Sequence, residues 1–149
     1  MAGCLEKRTI EVLNSMGSRK SYLYFAHPVN TFNTQEERDL VKTLENIFPD
    51  FEIYNPNKKY NKENYRLWKE ETGRGMNYYY EAILPQMDAG AYLAFKDGMI
   101  GAGVFNEAEF LLSNNKIVWE IGWNHDLEKI NSLDYSRRLS IEETRAKYR

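Results

Sequence analysis

The chain has 149 residues, a length for one domain with a real core. Its net charge of −2 supplies no positive field to draw it onto a nucleic-acid polymer or an anionic membrane. One cysteine, Cys4, excludes an internal disulfide framework, and two histidines, His27 and His125, support no metal cluster.

Residues 1–20 are polar and poorly patterned around Ile10, Val12 and Leu13, and read as a loose N-terminal arm. They lack a signal-peptide core, and no apolar run approaches the ~18 residues of a membrane span, so a cytoplasmic protein is expected. Residues 22–26, Tyr-Leu-Tyr-Phe-Ala, read as a first central strand running into a polar loop at 27–33. Thr34 and Glu37 have capping-box spacing, and Leu40, Val41, Leu44, Ile47 and Phe48 form the stripe of the helix that follows, ended by Pro49. Residues 51–54 are a second strand, stopped by Asn55-Pro56-Asn57.

Residues 57–75 fit no simple period and read as a long excursion with Tyr60, Tyr65 and Trp68 interspersed. Met76, Tyr79, Tyr80, Ile83, Leu84 and Met87 share one helical face, with Glu81 and Asp88 on its flank. Pro85 cannot donate to the carbonyl of Glu81, so this helix should bend or tighten there. Residues 91–95 predict a buried strand leading into Asp97-Gly98-Met99-Ile100-Gly101-Ala102-Gly103. The next helix carries Val104, Phe105, Ala108, Leu111 and Leu112 on one face, with Asn106 as an N-cap type and Glu107 in the first turn. Residues 116–121 are a fourth strand, 122–133 are turn-like with room for an edge strand, and Ser140 with Glu143 caps a short last helix. Alternating strands and helices imply an α/β fold over 21–149: a single-domain, three-layer sandwich, flavodoxin- or Rossmann-like, around a mostly parallel sheet.

Ligands of such sheets bind beyond the carboxyl ends of the strands, where residues 27–33, 55–57 and 95–107 converge. Glu107 has the strongest claim to chemistry, since a carboxylate in a first helical turn stays ionised, as a nucleophile must. An ordinary first-turn acid is the plainer reading, and Glu109 lies on the opposite flank of the same stripe. Glu81 and Asp88 are either site acids or solvated flank charges. Asn30, Thr31, Asn33 and Thr34 offer donors to a phosphate or sugar, or simply make the turn and cap. His27 reads as a loop hydrogen-bonder before a general base, and Asp97 before Gly98 as a turn residue. Arg74 is either a phosphate contact or a solvated side chain. The spacing Gly98-x-x-Gly101-x-Gly103 is not the dinucleotide fingerprint.

Together these segments resemble the nucleoside 2-deoxyribosyltransferase family and its relatives that hydrolyse nucleotide N-glycosidic bonds. Tyr24-Phe25-Ala26-His27-Pro28 is similar to the family's Tyr-x-Ala-Gly-Pro turn, and Asn55-Pro56 to the Asn-Pro after its second strand. Glu81 and Asp88 fall where the family has acids before the third strand, and Asp97-Gly98 where it has Asp-Gly after it. Residues 103–109, Gly-Val-Phe-Asn-Glu-Ala-Glu, fit Gly-Thr-x-x-Glu-x-Gly with Glu107 in the nucleophile slot, and Asn115-Lys116-Ile117-Val118 resembles the closing Gly-Lys-Pro-Val turn. The resemblance spans about 21–121. It departs at Gly101, where many relatives carry an acid, at Glu109, which replaces a glycine, and at His27, which replaces the first-turn glycine and narrows the crevice.

The resemblance implies cleavage or transfer at the N-glycosidic bond of a nucleoside or nucleoside 5′-monophosphate. Glu107 would attack C1′, and Glu81 or Asp88 would assist the leaving base. Asn30, Thr31 and Asn33 would hold the 5′ end, with Tyr24, His27, Asn55, Asp97, Gly98 and Gly103 completing the site. No metal or redox cofactor is called for. Gly101 and Glu109 motivate the alternative, a domain of the same fold that binds a nucleotide or NAD derivative without turnover. A homodimer or higher homo-oligomer is also expected, with Phe110, Trp119, Trp123 and Tyr78 as an exposed aromatic patch.

Overall fold

The computed structural model describes residues 21–57, 66–67, 69–70 and 79–148. The arm at 1–20 and the candidates Tyr60, Tyr65, Trp68, Arg74, Met76 and Tyr78 lie outside the described residues.

Strand β1 (Ser21–Ala26) is followed by a 3-10 turn (Val29–Thr31) and helix α1 (Gln35–Ile47). Strand β2 is Phe51–Tyr54, a π-helical turn covers Tyr79–Ile83 and a 3-10 turn Leu84–Gln86, and β3 is Ala89–Tyr92. Helix α2 (Ala102–Ser113), strands β4 (Ile117–Ile121) and β5 (Leu127–Ile130), a 3-10 turn (Tyr135–Arg137) and helix α3 (Ile141–Ala146) complete the order. The sheet runs β2-β1-β3-β4-β5, with β5 alone antiparallel. This is the expected α/β sandwich with a mostly parallel sheet.

Both faces of the sheet are buried, as a parallel sheet requires. Along β1, Leu23 and Phe25 face α1 and pack with Leu40, Leu44 and Ile53. Tyr22, Tyr24 and Ala26 face the other way, against Ile83, Leu84, Val104, Phe105, Ala108 and Leu111. Gly90 in β3 lets α2 sit close, since a Cβ there would stand 2.4 Å from Leu111 Cδ1. The chain leaves β1 to one side for β2 and leaves β3 to the other for β4. The strand order therefore reverses between β1 and β3, the place where such sheets open a crevice.

Several boundaries differ from the sequence reading, each for a local reason. The periodic stretch before β3 is a π turn running into a 3-10 turn, because Pro85 removes the donor that would continue an α-helix. Strand β3 ends at Tyr92, earlier than expected, because Phe95 N–H turns to the Met99 carbonyl (2.8 Å) in a tight loop where Gly98 takes φ +89°. Helix α2 starts at Ala102 with Gly101 as N-cap, so Asn106 is not the cap and Glu107 is not in the first turn. Its Ala102 N–H donates to Thr144 Oγ1 (2.9 Å), a cap supplied by α3 from across the fold. At α1, Thr34 Oγ1 accepts from Glu37 N–H (3.2 Å), but the Glu37 carboxylate accepts from Asn33 N–H instead of closing a box on Thr34. The box at α3 is complete, with Ser140 and Glu143 bonded reciprocally at 3.0 Å.

Residues 122–148 fold back over the domain. After β5, Ile100 and Arg138 form an isolated parallel bridge, with Ile100 N–H donating to Arg137 O (2.7 Å) and Leu139 N–H to Ile100 O (2.9 Å). The Arg137 guanidinium ties this segment to both Glu120 oxygens (2.8 and 2.5 Å) and to Gly98 O (2.8 Å). The aromatics expected to form a patch between copies find partners within the chain. Phe110 meets Tyr80 at 5.7 Å, Trp119 meets Phe48 at 4.7 Å, and Trp123 Nε1–H donates to Ala94 O (3.0 Å). They give no reason to invoke a second copy. Among the described residues, no helix is long and apolar enough to cross a membrane.

Candidate active site

The carboxyl ends of β1 and β3 frame a crevice of about 430 Å³, lined by Asn30, Thr31 and Thr34 from the β1 side and Phe95, Lys96 and Asp97 from the β3 side. Trp123 and Lys147 close it. Thr31 is buried by the 3-10 turn, whereas Asn30 is exposed at the rim. Asp97 Oδ1 accepts from Met99 N–H (3.0 Å), and its other oxygen pairs with Lys147 Nζ. These contacts hold the Asp97 carboxyl below its ordinary range. Gly98 makes the turn itself, and Gly103, in the first turn of α2, is exposed with no atom within 4 Å of where a Cβ would stand.

One turn further along α2, Glu107 points to the middle of the sheet, where the Tyr24 hydroxyl donates to its Oε2. Tyr24 is wholly buried, stacked on Tyr54 (5.8 Å between centroids) and edge-on to Tyr79 (6.3 Å). Withdrawal of the Glu107 carboxylate from water pushes its pKa up to about 7, against the opposing pull of the Tyr24 hydrogen bond. Burial, and then the neighbouring Glu107 charge, push the Tyr24 phenol well above its usual range, so it remains a donor. The sequence argument that the helix dipole keeps Glu107 ionised is corrected here: α2 begins earlier, and desolvation governs this carboxyl.

His27 is buried and serves the floor of the site. Its ring stacks on Phe25 (4.3 Å) and tilts against Phe32 (4.9 Å). Nδ1 lies 2.8 Å from Phe25 O, and Nε2 lies 2.7 Å from Glu37 Oε2. The ring thus spans two acceptors, the Phe25 carbonyl and the Glu37 carboxylate. Burial alone would raise Glu37, but hydrogen bonds from His27, Asn33 and Asn57 bring its pKa down to about 2. Asn33 (φ 65°) turns its Oδ1 to Asn57 Nδ2 (3.0 Å), and Asn55 Oδ1 accepts from Asn57 N–H (2.9 Å). Asn33 and Asn55 thus support this buried network and do not line the crevice.

The two further acids part company. Asp88 lies at the amino end of β3, where its Oδ2 accepts from Tyr22 N–H (2.8 Å), at the opposite edge of the sheet from the crevice. Its place in the site is corrected: it ties strand starts together. Glu81 is exposed on the π turn that also carries Tyr79 and Tyr80. Glu109, the rival of Glu107, accepts from the Tyr135 hydroxyl on the outer side of α2. Among the described residues, no three His, Cys, Asp or Glu side chains gather so as to hold a metal ion.

Sequence reasoning missed Lys96, Trp123, Lys147 and Tyr148. The capping box at Ser140 located α3, but nothing local showed where it docks. Tyr148 packs on Phe95 at 6.1 Å and bonds to the backbone of Val29, so it joins the loops that follow β3 and β1. No protein-family model, curated protein or solved structure matches this chain.

Proposed function

We propose that the protein cleaves or transfers the N-glycosidic bond of a nucleoside or nucleoside 5′-monophosphate, with Glu107 as nucleophile. One observation carries the reading: a carboxylate withdrawn from water on α2 is oriented by the buried hydroxyl of Tyr24, from the strand that borders the β1/β3 switch point. Attack of a Glu107 oxygen on C1′ forms a glycosyl ester while the bond to the base breaks and the base departs with the electron pair. Water or a second base then takes up the sugar, the two-step logic of retaining glycosidases. Glu107 must be ionised to attack, so turnover rises with pH through about 7. Tyr24 donates to the same carboxylate and fixes its direction. Glu81, on the turn whose Tyr79 touches Tyr24, is the acid we assign to protonation of the leaving base. Asn30 and Thr31 face the 5′ end.

A second reading, a crevice that binds a nucleotide or NAD derivative without turnover, is favoured by one placement: Asp88 is engaged at the far edge of the sheet. Incubation with a panel of nucleosides and 5′-monophosphates, followed by chromatography for free base, separates the two. Released base supports the enzyme; thermal stabilisation by a nucleotide without released base supports the binding domain.

A further inference from the structure

The crevice wall holds polar groups that the fold itself does not engage. Thr31 is 3% exposed, its N–H donates to Pro28 O (2.9 Å), and its carbonyl accepts from the Thr34 hydroxyl (2.6 Å). The hydroxyl of Thr31 has no hydrogen-bond partner among the described residues, and this residue lines the crevice. A buried hydroxyl without a partner is costly, so the cavity is where its bond is to be made. Helix α1 begins beside it. Thr34 Oγ1 satisfies Glu37 N–H, but the N–H groups of Gln35 and Glu36 have no acceptor among the described residues. Thr34 and Glu36 stand in the crevice wall, so the partial positive charge of this helix start meets the cavity. On the β3 side, Lys96 reaches no carboxylate among the described residues, and its Nζ lies 4.9 Å from the Trp123 ring centroid. Lys147, by contrast, is engaged by Asp97. Lys96 and Glu36, both exposed, are therefore the uncompensated charges of the wall.

We propose that the crevice is a phosphate-monoester site: the Thr31 hydroxyl and the start of α1 hold the phosphate from the β1 side, and Lys96 closes on it from the β3 side. Hydroxyl, backbone and ammonium donors on two sides match a group with three terminal oxygens, where a flat carboxylate would leave donors unused. At about 430 Å³ the cavity exceeds what a bare phosphate fills, and Phe95 with Trp123 gives apolar wall to an organic body. Lys96 can leave the indole for the phosphate, since an exposed cation–π contact is weak beside a charge-assisted hydrogen bond. Glu36 opposes the anion and limits its affinity. The inference shares with the proposed function only the choice of a phosphorylated ligand and uses no contact with Glu107, so the two fail separately.

Isothermal titration of the full chain with ribose 5-phosphate, inorganic phosphate and ribose reads the site. The expected result is saturable binding of ribose 5-phosphate, weaker binding of inorganic phosphate and none of ribose. Lys96→Met should weaken ribose 5-phosphate about tenfold, and Thr31→Val by a similar factor. Glu36→Gln should tighten it about twofold, the opposite sign. Salt at about 0.5 M should weaken binding by the wild type and affect Lys96→Met less. No saturable binding, ribose bound as tightly as its 5-phosphate, or equal affinity in wild type and Lys96→Met overturns the site. Inorganic phosphate bound more tightly than the ester assigns the crevice to free phosphate and overturns the monoester. Should Thr31→Val loosen the fold, the variants at exposed Lys96 and Glu36 still decide. Ribose 5-phosphate bound as expected, without base released from any nucleoside or nucleotide, keeps the site and removes the N-glycosidase reading; released base without ribose 5-phosphate binding does the reverse.

Discussion

Glu107→Gln is expected to make the protein more stable above neutral pH while disabling it. The substitution keeps an oxygen to accept from Tyr24 and removes the charge. Folded Glu107 holds its proton to about pH 7, against an ordinary 4.5. Between those values the native protein binds more protons than the unfolded chain, so the stability this group contributes is complete below 4.5 and falls as pH rises through 7. The gap corresponds to about 3 kcal/mol at most, taken as about 2 because the residue as a whole keeps some contact with solvent. At about 2–4 °C per kcal/mol for a domain of this size, the variant should melt roughly 4–8 °C above the wild type at pH 8. At pH 5 the two should nearly coincide. Thermal melts from pH 5 to 9 read this directly. An offset independent of pH, or a variant less stable at pH 8, would refute the claim that desolvation governs Glu107.

The buried pair at the crevice floor gives the opposite pH sign: Glu37 contributes fully above 4.5 and loses its contribution as pH falls through about 2, so urea midpoints of Glu37→Gln should lack the wild type's acid-side slope. Removing one partner alone, as in His27→Leu, should cost about 1–3 kcal/mol in urea unfolding at pH 7, because a buried Glu37 oxygen loses its hydrogen-bond partner. Thr144→Val keeps the shape that fills the space against Gly101 but strands Ala102 N–H, and should cost about 1–3 kcal/mol by the same measurement. Thr31→Val should raise KM for 5′-monophosphates about tenfold and for nucleosides less, a difference that steady-state kinetics on matched substrates would reveal.

The framework of the fold was legible because it is written locally. The continuous apolar run of residues 22–26, the stripe from Leu40 to Phe48 and the serine cap at 140 each carry their own pattern or cap chemistry. Glu107 was legible as a candidate through its place after the third strand, but its environment was not. The start of α2 depends on Thr144, 42 residues away in sequence, and no local pattern reports such a cap. The same holds for Lys147 and Tyr148, which enter the site only through the docking of α3. Asp88 misled because a shared helical flank was assumed, whereas Pro85 turns the chain before that residue and sends it to the strand start. His27 was read correctly as a hydrogen-bonding residue, but its acceptor Glu37 was assigned to a capping box that the buried ring takes over.

The central claim is the nucleophile. The measurement that tests it most directly is base release, by chromatography, from the best substrate of the nucleoside and 5′-monophosphate panel, with wild type and Glu107→Ala side by side. The expected result is release by the wild type and a loss of about a thousandfold or more in the variant, with Glu109→Ala much less affected. A Glu107→Ala protein that keeps more than about a tenth of wild-type turnover, a change of no more than about 1.4 kcal/mol in the barrier, would contradict it.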